Sequence, residues 1–243
     1  MKPSLLTQLE VYVEQRLPEF HQKRLEKLAT LKLKAVLSRK NPYLFRAKAV
    51  NTSEMLVRQI LDAHLSSQEE TIFGDFLEAL AIHVCESAYG GRKSTTEGID
   101  LEFERDDIRY IVSIKSGPNW GNSSQLKKMR DQFRQARKVY GSKRALIAVN
   151  GCCYGKEVID RGDYQKLCGQ AFWSLISGEE SLYTDLVEPL GRSAKTQNAQ
   201  FLEEYDKVVN RCSRELLADF CHADGSIDWI KLVAFTSATR LKQ

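Results

Sequence analysis

No apolar run in this chain approaches the roughly 18 residues that a membrane-spanning helix requires, so no membrane partner is expected. The amino-terminal stretch MKPSLLTQLEVYVEQ lacks a sustained apolar core and carries acids early, which is not the pattern of a signal peptide. Six cysteines are present, but no CxxC or other zinc-type spacing joins them, and Cys152 and Cys153 are adjacent. Cysteines in that pattern fit a reducing cytoplasm as small core residues. Cys212, Cys221 and His222 are not read as a metal set. Internal repeats and low-complexity tracts are also missing.

What remains is an ordinary globular composition, 42% hydrophobic and 28% charged, in 243 residues. That length holds one large domain, or one domain with a helical appendage. The net charge of +4 is modest but unevenly placed. Residues 1–48 hold eleven Lys/Arg against four Glu, and residues 127–144 hold eight against Asp131 alone. Two basic stretches point to a polyanionic partner when they flank a site.

The candidate site is residues 98–117, GIDLEFERDDIRYIVSIKSG. Ile99, Leu101 and Phe103 alternate with Asp100, Glu102 and Glu104, the period of a half-buried strand. Residues 105–107 are a polar turn. Tyr110, Val112 and Ile114 then alternate with Ile111, Ser113 and Lys115 in a second strand. Folding the hairpin about Asp106 and Asp107 sets Asp100 opposite Ser113, with Lys115 on the same face as Ser113. Lys115 ends an apolar run and precedes Ser-Gly-Pro, so it stands at a strand end beside a loop, where sites are often built.

Around the hairpin the pattern is mostly helical. Residues 5–37 read as amphipathic helix, with Pro18 expected to open a second one. Residues 41–45 read as a break before Pro42. Residues 53–65 and 69–87 read as two further helices, the second with a stripe of Ile72, Phe73, Phe76, Leu77, Leu80, Ala81 and Val84. Glu78 lies one position off that stripe. Residues 89–97 and 116–124 read as loops. Ser123 or Ser124 is expected to cap a basic helix reaching about Tyr140. Residues 145–150 suit a buried strand and 151–163 a loop. Residues 181–190, 201–220 and 229–235 read as helices. The expected division is a helical part at 1–68 that helps dimerise and a second domain at 69–243.

An Ile-Asp, Arg-Asp-Asp, Ser-x-Lys-x-Gly hairpin at residues 99–117 after a helix around Phe73 and Gly74 resembles the core of the PD-(D/E)xK nuclease superfamily. Within it the chain is similar to type II restriction endonucleases that cut palindromes with GG and CC halves around a central base. The similarity extends to Phe172-Trp173-Ser174 with Gly178-Glu179, and to Ala223-Asp224-Gly225 with Trp229 and Lys231-Leu232. It implies an α/β fold, a mixed central sheet flanked by helices, with a helical N-terminal region. It implies Mg2+-dependent, site-specific hydrolysis of double-stranded DNA. Asp100 would be the main Mg2+ ligand and the carbonyl of Ile114 a second, since hard oxygens suit a hard cation. Lys115 would orient the attacking water and stabilise charge on the phosphate.

One position departs from that pattern: the second motif should open with Asp or Glu, and residue 113 is serine. Glu78 and Asp131, on the preceding and following helices, are the candidates to replace the carboxylate. Without a replacement the chain would be a DNA-binding module on the same fold that cuts weakly or not at all. A palindrome calls for a homodimer. Base-reading candidates are Arg92, Lys93, Asn119, Asn122 and Lys156 in the loops around the hairpin. Lys127, Lys128, Arg130 and Arg134 are the candidates for phosphate contacts.

Overall fold

The computed structural model of the protein describes residues 4–141, 145–192 and 194–239. Its first elements are the helices α1 (Leu5–Ala29), α2 (Leu33–Leu37), α3 (Pro42–Ala47) and α4 (Ser53–Tyr89). Pro18 does not open a second helix but lies inside α1. It faces solvent, where water can take the backbone carbonyl that proline leaves without its bond. Residues 53–65 and 69–87 are likewise one helix of 37 residues, because Ser66, Ser67 and Gln68 contain no breaker. The expected break at 41–45 is a helix start. The Asn41 side chain accepts from the Tyr43 N–H, and Pro42 occupies the first turn of α3.

The sheet follows, with β1 (Arg92–Lys93), β2 (Leu101–Arg105), β3 (Ile108–Lys115), α5 (Ser123–Tyr140), β4 (Ala145–Cys152), β5 (Val158–Asp160) and β6 (Gln165–Cys168). The six strands run in the order β1-β2-β3-β4-β6-β5. The pairs β3/β4 and β4/β6 are parallel and the other three antiparallel. The expected loops at 89–97 and 151–163 therefore contain β1 and β5. The cap of α5 is Asn122 rather than a serine, with Gln125 closing a capping box. The chain ends through α6 (Gln170–Ser177), α7 (Leu182–Asp185), α8 (Val187–Gly191), α9 (Ala194–Phe220) and α10 (Trp229–Ser237).

Helices cover both faces of the sheet. On one face Leu101, Phe103, Val112, Ile114 and Val149 pack with Leu9, Val13 and Leu17 of α1, Leu80 and Val84 of α4, and Phe172 and Ile176 of α6. On the other face Ile111 and Ala148 pack with Met129, Phe133 and Ala136 of α5. This is the mixed sheet with flanking helices that the resemblance implies. Trp173 of the Phe-Trp-Ser motif donates its indole N–H to the Cys153 carbonyl at 2.8 Å. The neighbouring Phe172 ring lies where a Cβ on Gly151 of β4 would stand 2.3 Å from it, so that position requires glycine.

By internal contacts the chain forms two compact units, Met1–Phe20 with Phe73–Ala194, and His21–Ile72 with Lys195–Gln243. The first holds the sheet. The second is mainly helical among its described residues, with an isolated β-bridge between Cys221 and Ile227, and Leu28, Leu33, Leu56, Ile60 and Leu61 pack with Val209, Cys212, Leu216 and Phe220. The division expected at residue 68 falls inside α4. The carboxy-terminal helices join the helical unit because the apolar stripe of residues 201–220 is buried there.

Candidate active site

Asp106 and Asp107 both adopt left-handed conformations, with φ of 53° and 59°. Two such residues in succession give the tight turn whose twist matches a hairpin. That turn fixes the register, pairing Leu101 with Val112 and Phe103 with Tyr110. One residue beyond the last pair, the Asp100 N–H donates to the Val112 carbonyl at 2.8 Å. There the regular ladder stops, and the Asp100 side chain takes over as acceptor. Its Oδ2 receives the Ile114 N–H at 2.7 Å and the Ser113 hydroxyl at 3.4 Å.

Lys115 completes the group. Its Nζ donates to the Ile114 carbonyl at 2.8 Å and stands 3.6 Å from Asp100 Oδ2. An ammonium thus sits between a carboxylate and a backbone carbonyl at the end of β3. The side chains of Lys115 and Asp100 are 28% and 23% exposed, so a solute can reach them. The acid, hydroxyl and lysine expected to share a place do so. The two oxygens that converge on Lys115 are hard donors, and they suit a divalent cation that keeps most of its water. Among the described residues no group of three or more His, Cys, Asp or Glu is placed to hold a metal.

Glu78 approaches the same end of the hairpin. It is 30% exposed on α4 and lies 3.4 Å from Lys93 Nζ. Lys93 pairs with Leu101, the residue after Asp100. The Cys153 thiol is pushed up to about 12 by burial first and by the Glu78 charge second, while Lys115 opposes. Both side chains therefore act on one buried sulfur. The described partner of Asp131 is Arg134 on its own helix, at 3.4 Å. Of the two acids, Glu78 is the one tied to the hairpin.

Two residues that sequence reasoning passed over stand behind the site. Asn150 of β4 is 1% exposed and lies in register with Ser113. Its Nδ2 donates to the Ser113 carbonyl at 3.3 Å, and its Oδ1 accepts from the Trp120 indole N–H at 3.2 Å. The Trp120 ring lies 5.3 Å from Lys115 Nζ. The available signals were an asparagine closing an apolar strand and a tryptophan within a polar loop.

The DNA-contact candidates divide by what holds them. Lys127, Lys128, Asn119 and Lys156 present exposed side chains. Arg130 is exposed too, with its guanidinium 5.9 Å from the centre of the Tyr164 ring. Arg134 is engaged by Asp163 at 2.9 Å as well as by Asp131. The Asn122 oxygen is spent on the Ser124 and Gln125 N–H groups. Lys143 and Arg144, part of the basic stretch, lie outside the described residues. Glu102, expected on an outward face, is 8% exposed. Its carboxylate is held by Arg92 Nε at 2.6 Å and by the Tyr140 hydroxyl.

A family model described as type II restriction endonuclease EcoO109I matches residues 7–198. The matched span takes in Glu78, the whole hairpin, α5, Trp120 and Asn150. No curated protein matches the chain.

Proposed function

Because the chain belongs to the EcoO109I family of type II restriction endonucleases, we propose that it is a Mg2+-dependent homodimer cutting duplex DNA at a palindrome with GG and CC halves. The observation that carries this reading is the convergence of Asp100, the Ile114 carbonyl and Lys115 at one strand end. Asp100 and the Ile114 carbonyl hold Mg2+, and Glu78 supplies the carboxylate that Ser113 lacks. When bound, the ion supplies Lewis acidity and a more acidic water. Lys115 is the cation of the site. It orients the attacking water and stabilises negative charge growing on the phosphate.

Lys127, Lys128 and Arg130 on α5 contact phosphates and fix the register of the duplex without reading it. Asn119 and Lys156, on the loops after β3 and β4, are the base-reading candidates with exposed side chains. Arg92 and Lys93 read bases with the donor groups left over from Glu102 and Glu78.

A second reading is favoured by one observation, the serine at position 113. If neither Glu78 nor Asp131 supplies a carboxylate to the ion, the chain is a site-specific DNA-binding module that cuts weakly or not at all. Purified protein incubated with plasmid DNA and Mg2+ separates the two. Discrete fragments are expected. A shifted but intact plasmid supports the binding module, and a smear excludes sequence specificity.

A further inference from the structure

We propose that Trp120 and Asn150 form a positioning pair that fixes where the Lys115 ammonium stands, a proposal that rests on Lys115 acting as described above. A lysine side chain has four rotatable bonds, and ordering it costs rotamer freedom. Asp100 and the Ile114 carbonyl restrain Lys115 from the strand side only. The Trp120 ring, 5.3 Å from Nζ, supplies the restraint from the loop side, where an aromatic face attracts an ammonium.

A ring in a loop can perform that task only if the loop is held, and Asn150 holds it. A buried amide is costly unless it is hydrogen-bonded. Asn150, 1% exposed, has both ends engaged, one on the Trp120 indole and the other on the Ser113 carbonyl. The same amide therefore ties the loop to β3 at the residue facing Asp100. Phenylalanine at 120 would still present an aromatic face, but only an indole N–H reaches Asn150. Trp120 and Asn150 are positioning residues, since each acts through Lys115 and through the end of β3.

The test has two readouts on the full-length protein. In the DNA-free protein, NMR of the Lys115 side-chain methylenes, assigned with Lys115→Arg, should show a ring-current shift. That shift should vanish in Trp120→Ala and persist, reduced, in Trp120→Phe. In single-turnover cleavage at saturating DNA, Trp120→Ala and Asn150→Ala should each lose roughly tenfold in rate. DNA affinity in Ca2+ should change less than about twofold, and Trp120→Phe should recover part of the Trp120→Ala loss. In a Lys115→Arg background the Trp120→Ala loss should shrink, because the two residues act as one unit. A Lys115 signal unmoved by Trp120→Ala overturns the proposal whatever the activity. A vanished shift with the parent cleavage rate also overturns it. A wild-type protein that never cuts removes the nuclease reading instead, while the NMR result still decides the contact.

Discussion

Asp100 is the residue on which the site turns, because its carboxylate does two things at once. It ends the β2 ladder by accepting the Ile114 N–H, and it faces the Lys115 ammonium. Replacing either charged group removes chemistry while leaving the exposed lysines of α5 in place. Asp100→Ala and Lys115→Ala should each lower Mg2+-dependent cleavage by about a thousandfold or more. Binding of DNA in Ca2+, followed by gel shift, should stay near the parent level. A variant of either kind that cuts at the parent rate would remove the assignment. Glu78→Ala should slow cleavage roughly ten- to a hundredfold, and Ser113→Glu should restore part of it in that background. Equal rates for Glu78→Ala and wild type would return the replacement carboxylate to Asp131, or leave a site with one acidic ligand. The Asp100, Ser113 and Lys115 grouping was legible because a hairpin has period two and a tight turn sets its register. Glu102 was not, because its partner Arg92 sits in a two-residue strand whose pairing is non-local. Asn122 was misread although its signal was present, since an asparagine three residues before a glutamine marks a capping box.

At the scale of elements, what was legible depended on length. The apolar stripes of α1, α4 and α9 repeat over many turns and are visible in any window. Strands β1, β5 and β6 are two to four residues long and exist because a neighbour lends them partners. Helix boundaries failed where local rules met tertiary packing. Leu9, Val13 and Leu17 before Pro18 and Leu28 after it are all buried, and the gain from burying both halves of α1 holds the helix through its proline. That proline has a measurable consequence. Its ring is exposed, so nothing in the packing needs it. Pro18→Ala should restore one backbone hydrogen bond and raise stability by about 2 kcal/mol. Urea unfolding followed by circular dichroism measures this. A midpoint at or below that of the parent would mean that Pro18 sets a bend the fold requires.

For the whole molecule, the helical part at 1–68, expected to help dimerise, spends much of its apolar periodicity inside the chain's own cores. Leu9, Val13 and Leu17 are spent in the core of the sheet unit. Leu28, Leu31, Leu33, Val36, Leu37, Phe45 and Val50 are spent in the core of the helical unit. Removing residues 1–50 would therefore strip both cores and is expected to unfold the chain. The proposed homodimer rests instead on the proposed palindromic target, whose two equivalent strands would each need cutting. The apolar groups left for an interface are those that the fold does not cover. In the helical unit these include Tyr43 and Leu44 of α3, 63% and 54% exposed, and Ile230 of α10, 85% exposed. Arg46 of α3 stacks over Trp229 of α10 at 5.7 Å, so these two short helices are neighbours. Light scattering at micromolar concentration should give about twice the 27.7 kDa of one chain, free and on cognate DNA. Ile230→Asp should shift that mass toward the monomer and slow cleavage of a palindromic duplex, because two half-sites are no longer engaged together. A 27.7 kDa particle under both conditions would rule out the homodimer. A dimer undisturbed by Ile230→Asp would place the interface away from α10.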